Sequence, residues 1–210
     1  GKVDAFWRVD DSESAVVLSQ DIKLALIDRD GVVIGKAPAH QYFKSPGEMK
    51  MLNGVPEAIA RLNNAGFMVA LVSNQSGIAN GLFTPKDLQN MTAEIGRQIS
   101  VANARIDAVF FCPHKKPVMG DGAACTCRKP LPGMISAAME FFGAKRENTF
   151  MFGDFAVDIE AAQRVGVRAV YIATEHDESV AASAKIKESY HEVWNKFRFD
   201  NLLAAVRVLS

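Results

Sequence analysis

From Ile22 onward, short apolar runs alternate with stretches whose apolar residues recur at helical spacing. Leu24-Ala25-Leu26-Ile27 is apolar throughout and stops at Asp28, as a strand buried on both faces of a sheet would. Phe67 to Val72, Ala108 to Phe111, Thr149 to Phe152 and Ala169 to Ile172 repeat the pattern. Between them lie predicted helices. Val55 to Asn64 carries Val55, Ile59 and Leu62 on one face, Pro56 in its first turn and Gly66 as a stop. Thr84-Pro85 opens a helix reaching about Val101, with Leu88, Met91, Ile95 and Ile99 as its stripe. Further helices are expected over Pro132 to Phe142, Asp158 to Val165 and Asn201 to Leu209. This alternation predicts an α/β domain, a mostly parallel sheet with helices on both faces. The chain of 210 residues is read as one domain, with residues 1–21 and 176–199 as appendages.

In such a sheet a ligand binds outside the carboxyl ends of the strands. Three polar motifs fall there: Asp28-Arg29-Asp30-Gly31, Ser73-Asn74-Gln75-Ser76-Gly77 and Gly153-Asp154. Asp28 and Asp30 are two apart where the chain leaves the sheet, so both carboxylates can enter one crevice and divide nucleophilic and proton-transfer work. Ser73 and Asn74 offer a hydroxyl and backbone N–H groups to a phosphate oxygen. Arg128 and Lys129 pair two cations ahead of Pro130, which keeps Lys129 extended. Asp154 sits where a strand ends, suited to a hard cation, and Asp158 lies one helical turn on. Taken singly, these features also fit a polar turn, a solvated basic pair and a helix-start carboxylate.

Composition narrows the picture. Lys plus Arg and Asp plus Glu number 24 each, so no global field favours nucleic acid or a membrane surface. No apolar run is long enough to span a bilayer, and Asp4, Asp10, Asp11 and Glu13 do not suit a signal peptide. A cytoplasmic protein is expected, a monomer or small homo-oligomer, and a local basic pocket for a small anion stays open.

The three cysteines, Cys112, Cys125 and Cys127, fall within sixteen residues and have His114 among them. Three thiolates and an imidazole form a closed tetrahedral set, which reads as structural Zn²⁺. The alternative is a group of free thiols in a loop. Zinc would pin a loop carrying Gly120 and Gly122, which has little apolar content of its own.

The motifs in this order, strand then Asp-x-Asp-Gly, strand then Ser, Lys, strand then Gly-Asp-x-x-x-Asp, resemble the four signatures of the haloacid dehalogenase superfamily over about residues 22–175. The resemblance implies a Rossmann-like fold and a Mg²⁺-dependent phosphatase. Asp28 would attack phosphorus and form an aspartyl-phosphate, and Asp30 would act as acid and then base. Ser73 and Lys129 would balance charge on the transferring phosphoryl group. Mg²⁺ would be held by the Asp28 carboxylate, the Asp30 backbone carbonyl and Asp154, with Asp158 acting through a water. The short separation of the first two motifs implies a minimal cap, so the partner, a small phosphorylated metabolite, is small or reaches the site openly.

The Cys-Pro-His…Cys-x-Cys-Arg-Lys-Pro stretch looks like the zinc-bearing branch that includes D-glycero-D-manno-heptose 1,7-bisphosphate 7-phosphatases and histidinol-phosphate phosphatases. Asn74-Gln75-Ser76-Gly77-Ile78-Ala79 and the ten residues between His114 and Cys125 favour the heptose side, and with it a role in lipopolysaccharide heptose biosynthesis. Asn74, Gln75, Arg128 and Lys129 would then contact substrate, Arg128 reading a distal phosphate. Two departures touch the substrate pocket. Phe155 stands where the heptose enzymes usually carry a lysine, and Lys36-Ala37-Pro38-Ala39 replaces an Asp-His-Gly-Tyr stretch. Other readings stay open: another sugar phosphate, histidinol phosphate, phosphoryl transfer to an acceptor alcohol, or an idle binding module.

Overall fold

The structure, a computed structural model, describes residues 6–8, 21–38, 41–115, 125–173 and 187–209. Its strands are β1 (Phe6–Arg8), β2 (Lys23–Ile27), β3 (Phe67–Asn74), β4 (Ala108–Cys112), β5 (Thr149–Gly153), β6 (Arg168–Ile172) and β7 (Arg198–Phe199). The sheet order is β1-β4-β3-β2-β5-β6-β7, with β1 antiparallel to β4 and every other pairing parallel. The helices are α1 (Val55–Asn64), α2 (Pro85–Ile99), α3 (Gly133–Phe142), α4 (Ala156–Gln163), α5 (His191–Lys196) and α6 (Leu202–Leu209).

Side-chain alternation along β2 divides the core. Ala25 and Ile27 join Val69, Leu71, Ile59 and Leu62 on one face, under α1 and α6. Leu24 and Leu26 join Ala70, Val72, Met134 and Ala161 on the other, under α3 and α4. Both faces are covered, which is why β2 and β5 read as unbroken apolar runs. The α2 start is fixed locally. Thr84 Oγ1 accepts the Asp87 N–H at 3.1 Å while Asp87 Oδ2 accepts the Thr84 N–H at 2.8 Å, with Pro85 in the first turn.

Three differences from the sequence reading bear on the site. First, β3 runs through Ser73 and Asn74, because Ser73 and Asn74 pair with Phe111 and Cys112 of β4. Second, α4 begins at Ala156 rather than Asp158, so Asp158 closes the first turn, its Oδ2 accepting the Phe155 N–H at 3.0 Å. Third, parts of both presumed appendages belong to the sheet. Phe6–Arg8 forms its edge, with the Trp7 ring 5.2 Å from that of Phe111. Arg198–Phe199 forms the other edge, and Trp194 stacks on Tyr171 at 6.1 Å. Among the described residues no helix is long and apolar enough to cross a membrane.

Ile59 is fully buried where α1 meets the sheet. Ile59→Ala should cost about 2–5 kcal/mol, since it removes buried methylenes and leaves a cavity. Chemical denaturation measures this, and a loss below about 1 kcal/mol would contradict the packing described.

Candidate active site

The carboxyl ends of β2, β3 and β5 open onto a cavity of about 270 Å³ lined by Asp28, Asp30, Lys36, Tyr42, Ser73, Gln75, Lys129, Phe155 and Asp158, among others. That is at the small end for a metabolite pocket. Asp28 follows β2 directly, its N–H bonded to the Phe152 carbonyl of β5 at 2.9 Å. The turn beyond it closes with the Val33 and Ile34 N–H groups donating to the Arg29 carbonyl, both at 3.0 Å. Gly31 has φ +94°, and a side chain there would run into the Asp154 carboxylate.

Lys129 reaches this crevice from the far side of the sequence. Its ammonium donates to Asp28 Oδ1 and to the Val72 carbonyl, each at 2.8 Å, and lies 2.7 Å from Asp158 Oδ1. Asn74 fixes the Lys129 main chain from both sides: its Nδ2 donates to the Lys129 carbonyl at 3.1 Å and its Oδ1 accepts the Lys129 N–H at 3.0 Å. Gln75 Nε2 donates to Asp30 Oδ2 at 2.9 Å and to Ser73 Oγ at 2.7 Å. The amides of Asn74 and Gln75, expected to touch substrate, are thus occupied in positioning Lys129, Asp30 and Ser73.

Arg29 is a site component that the sequence reading misses, and Lys36 enters that reading only as part of a departure at the substrate pocket. Arg29 is buried and grips Asp30 through Nε at 3.1 Å and Nη2 at 2.9 Å, with Nη2 also 3.2 Å from Gln75 Oε1. Lys36 Nζ lies 2.6 Å from Asp154 Oδ2 and 3.8 Å from the centre of the Phe155 ring. Arg29 stood inside the first motif, and its contact with Gln75 was the missing clue. Lys36 and Phe155 were visible only as two separate departures. Arg128 Nη1 donates to the His114 carbonyl at 2.9 Å, and Arg128 is not among the residues lining the cavity. Ala39 lies outside the described residues, as do Gly120, Gly122 and the acidic residues Asp4, Asp10, Asp11 and Glu13.

Asp28, Asp154 and Asp158 present carboxylate oxygens within 4.8 Å of one another. Burial pushes Asp28 up to about 8, with Lys129 opposing the rise and Asp158, Asp154 and Asp30 adding to it. Burial likewise lifts Asp154 to about 6, against Lys36 and together with Asp158. Burial works against the Lys129 ammonium as well, but Asp158 and Asp28 outweigh it and hold its pKa above the ordinary lysine value. Oxygen-only donors crowded and desolvated in this way suit a hard divalent cation, and of the residues expected to hold Mg²⁺ the carboxylates of Asp28, Asp154 and Asp158 converge.

At the rim, Cys112, His114, Cys125 and Cys127 bring one donor atom each within 4.8 Å of the others. Cys112 Sγ is 3.7 Å from Cys125 Sγ, and His114 Nδ1 is 3.5 Å from Cys112 Sγ and 3.3 Å from Cys127 Sγ. A hydrogen bond from Cys127 lowers the Cys112 thiol to about 5, and the same contact pushes Cys127 up.

A carboxylate at a strand end, a bridging lysine and an acidic cage on this sheet define a phosphoric monoester hydrolase of the haloacid dehalogenase type. Residues 126–198 match a family model described as HAD-hydrolase-like. A D-glycero-β-D-manno-heptose-1,7-bisphosphate 7-phosphatase of Neisseria meningitidis is 36% identical over 153 residues, covering 73% of this chain and 78% of that relative. One from Bordetella bronchiseptica is 35% identical over 167 residues, covering 80% and 89%. The crystal structure of the B. bronchiseptica D,D-heptose 1,7-bisphosphate phosphatase, complexed with magnesium and phosphate, superposes with a TM-score of 0.77 at 32% identity, covering 90% of this chain and 98% of that one. The chain belongs to the family of these heptose-bisphosphate phosphatases within the haloacid dehalogenase superfamily.

A carboxyl whose pKa is raised by folding stabilises the fold fully below the ordinary carboxylate range, and that contribution is lost as pH rises through the raised value. Metal-free protein should therefore lose stability between about pH 4 and pH 8 on account of Asp154 and Asp28. Saturating Mg²⁺ should raise Tm more near pH 8 than near pH 5, by roughly 3 kcal/mol of stability at a hundredfold excess over Kd. Calorimetry with EDTA or Mg²⁺ measures this, and a Tm indifferent to magnesium at both pH values would contradict the cage.

Proposed function

We propose that the protein removes the 7-phosphate of D-glycero-β-D-manno-heptose 1,7-bisphosphate through an aspartyl-phosphate on Asp28. The observation that carries this is the Lys129 bridge to Asp28 and Asp158 in a chain so similar to phosphatases of that name. The small cavity suits a phosphorylated sugar entering openly.

In this reading an Asp28 oxygen attacks phosphorus as the bond from phosphorus to the sugar oxygen breaks. Asp30, held by Arg29 and Gln75 at the cavity wall, gives its proton to that departing oxygen. Asp30 then takes a proton from the water that attacks phosphorus and releases Asp28 and inorganic phosphate. Lys129 and Ser73 bear on the phosphoryl oxygens, Lys129 while still tied to Asp28. Asp28, Asp154 and the Asp30 carbonyl would hold Mg²⁺, with Asp158 behind them. The ion supplies charge neutralisation between an anionic nucleophile and an anionic phosphate.

Cys112, His114, Cys125 and Cys127 would hold a structural Zn²⁺, supported by the convergence of their donor atoms. Free thiols so close together suit a reducing compartment, and the reading places the protein in the cytoplasm. Because Lys36 and Phe155 depart from the family pattern at the cavity, one runner-up is a different small phosphomonoester such as histidinol phosphate.

Phosphate release from heptose bisphosphate, histidinol phosphate and simple sugar phosphates, measured with Mg²⁺, tests the substrate. Heptose bisphosphate should give the highest kcat/KM, and preference for histidinol phosphate would overturn the assignment. Asp28→Asn should lower kcat by at least about a thousandfold while circular dichroism stays that of the wild type. Retention of more than a few per cent of turnover would remove Asp28 as nucleophile. Elemental analysis should find about one zinc per chain, lost when Cys112 and Cys127 are replaced by serine.

A further inference from the structure

Among the described residues lining the cavity, the cations are Arg29, Lys36 and Lys129. Arg29 is engaged by Asp30 and Gln75, and Lys129 by Asp28, Asp158 and the Val72 carbonyl. Lys36 differs from both. Its ammonium is tied to Asp154, a member of the acidic cage, and rests on the face of the Phe155 ring. Its side chain is 14% exposed, so it keeps some access to the cavity, while the Asp154 side chain is 1% exposed.

A divalent cation on Asp154 would put two positive centres on one carboxylate. Their repulsion in a desolvated site is severe, and the mobile member of the pair is the lysine on its four-carbon stem. The aromatic face of Phe155 gives the ammonium a second, uncharged support that does not depend on Asp154. The same ring stands at the cavity wall, so a lysine leaving Asp154 along it stays inside the substrate space.

We propose that Lys36 is a specificity residue with two stations: it neutralises Asp154 when the cage is empty, and turns along the Phe155 ring to bind the substrate's second anionic group when a divalent cation takes Asp154. This rests on the proposed function for the identity of a bisphosphate, but not for the contact with Asp154. It gives the second anionic group a contact on the Asp154 side of the cavity, apart from Arg128, whose Nη1 is bonded to the His114 carbonyl. It also joins the two departures from the family pattern into one device, since the lysine missing at Phe155 is replaced by one lying over it.

The test uses the full-length protein with Lys36→Met and Lys36→Arg. Titration calorimetry on metal-free protein, with Mg²⁺ as the probe, should show Lys36→Met binding on the order of tenfold more tightly than wild type, because no resident cation has to be displaced. The ratio of kcat/KM on heptose bisphosphate to that on p-nitrophenyl phosphate should fall roughly ten- to a hundredfold in Lys36→Met, through KM, and recover in Lys36→Arg. Unchanged or weaker magnesium binding by Lys36→Met overturns the exchange. Equal losses on the two phosphates overturn the specificity role. Calorimetry needs no substrate, so a wild-type protein inactive on both phosphates would sink the proposed function while magnesium affinity still decides the Lys36 exchange.

Discussion

The Lys129 ammonium touches Asp28, Asp158 and the Val72 carbonyl at once, so segments separated by up to about a hundred residues close on a single buried charge. Much of the site follows from that contact. Three carboxylates converge in a place where burial lifts the pKa of Asp28 and Asp154. Removing Lys129 would strand two of them without their partner, and an unpaired buried charge is typically worth about 3–5 kcal/mol. Position matters as much as charge. The Asn74 side chain clasps the Lys129 main chain through two hydrogen bonds, and Asn74 is itself fixed by strand pairing with Cys112. The backbone of the sheet thereby sets the lysine's location.

The acidic cage is the complementary half of the same constraint. An anionic nucleophile must approach an anionic phosphate, so catalysis needs surplus positive charge that is already oriented. Lys129 supplies one such charge permanently, and the Asp154 side calls for another. Lys36 stands there, paired to Asp154 and supported by Phe155. The thiol and imidazole donors lie just outside, and the Cys127 segment leads straight into Arg128 and Lys129. Fixing that segment restrains the approach of Lys129 to the crevice from outside the sheet.

Much of this was legible in the sequence because it depends on local rules. A buried parallel strand must be apolar on both faces, so Asp28, Ser73 and Asp154 announced themselves as the polar ends of apolar runs. The Thr84 and Asp87 pair marked a helix start in the same way. What stayed hidden depends on tertiary approach. Phe6–Arg8 and Arg198–Phe199 are too short to show a period, and only their neighbours β4 and β6 make them strands. The Lys36 contact with Asp154 joins positions with β3, β4 and β5 between them, and no spacing rule links the two. Arg128 and Lys129 are expected to have different targets, and the Cys127-to-Pro130 turn does send the two side chains to different places, Lys129 to Asp28 and Arg128 to the His114 carbonyl.

The central claim is covalent: phosphorus passes from substrate to an Asp28 oxygen before it passes to water. Rapid acid quench during a single turnover with Mg²⁺, followed by borohydride reduction and peptide mass mapping, tests it most directly. A phosphorylated Asp28 is reduced at its carboxyl carbon to homoserine, so the predicted result is homoserine at position 28 and nowhere else. Unmodified Asp28 under quench conditions that capture the pre-steady-state burst, or homoserine at Asp30 or Asp154 instead, would contradict it.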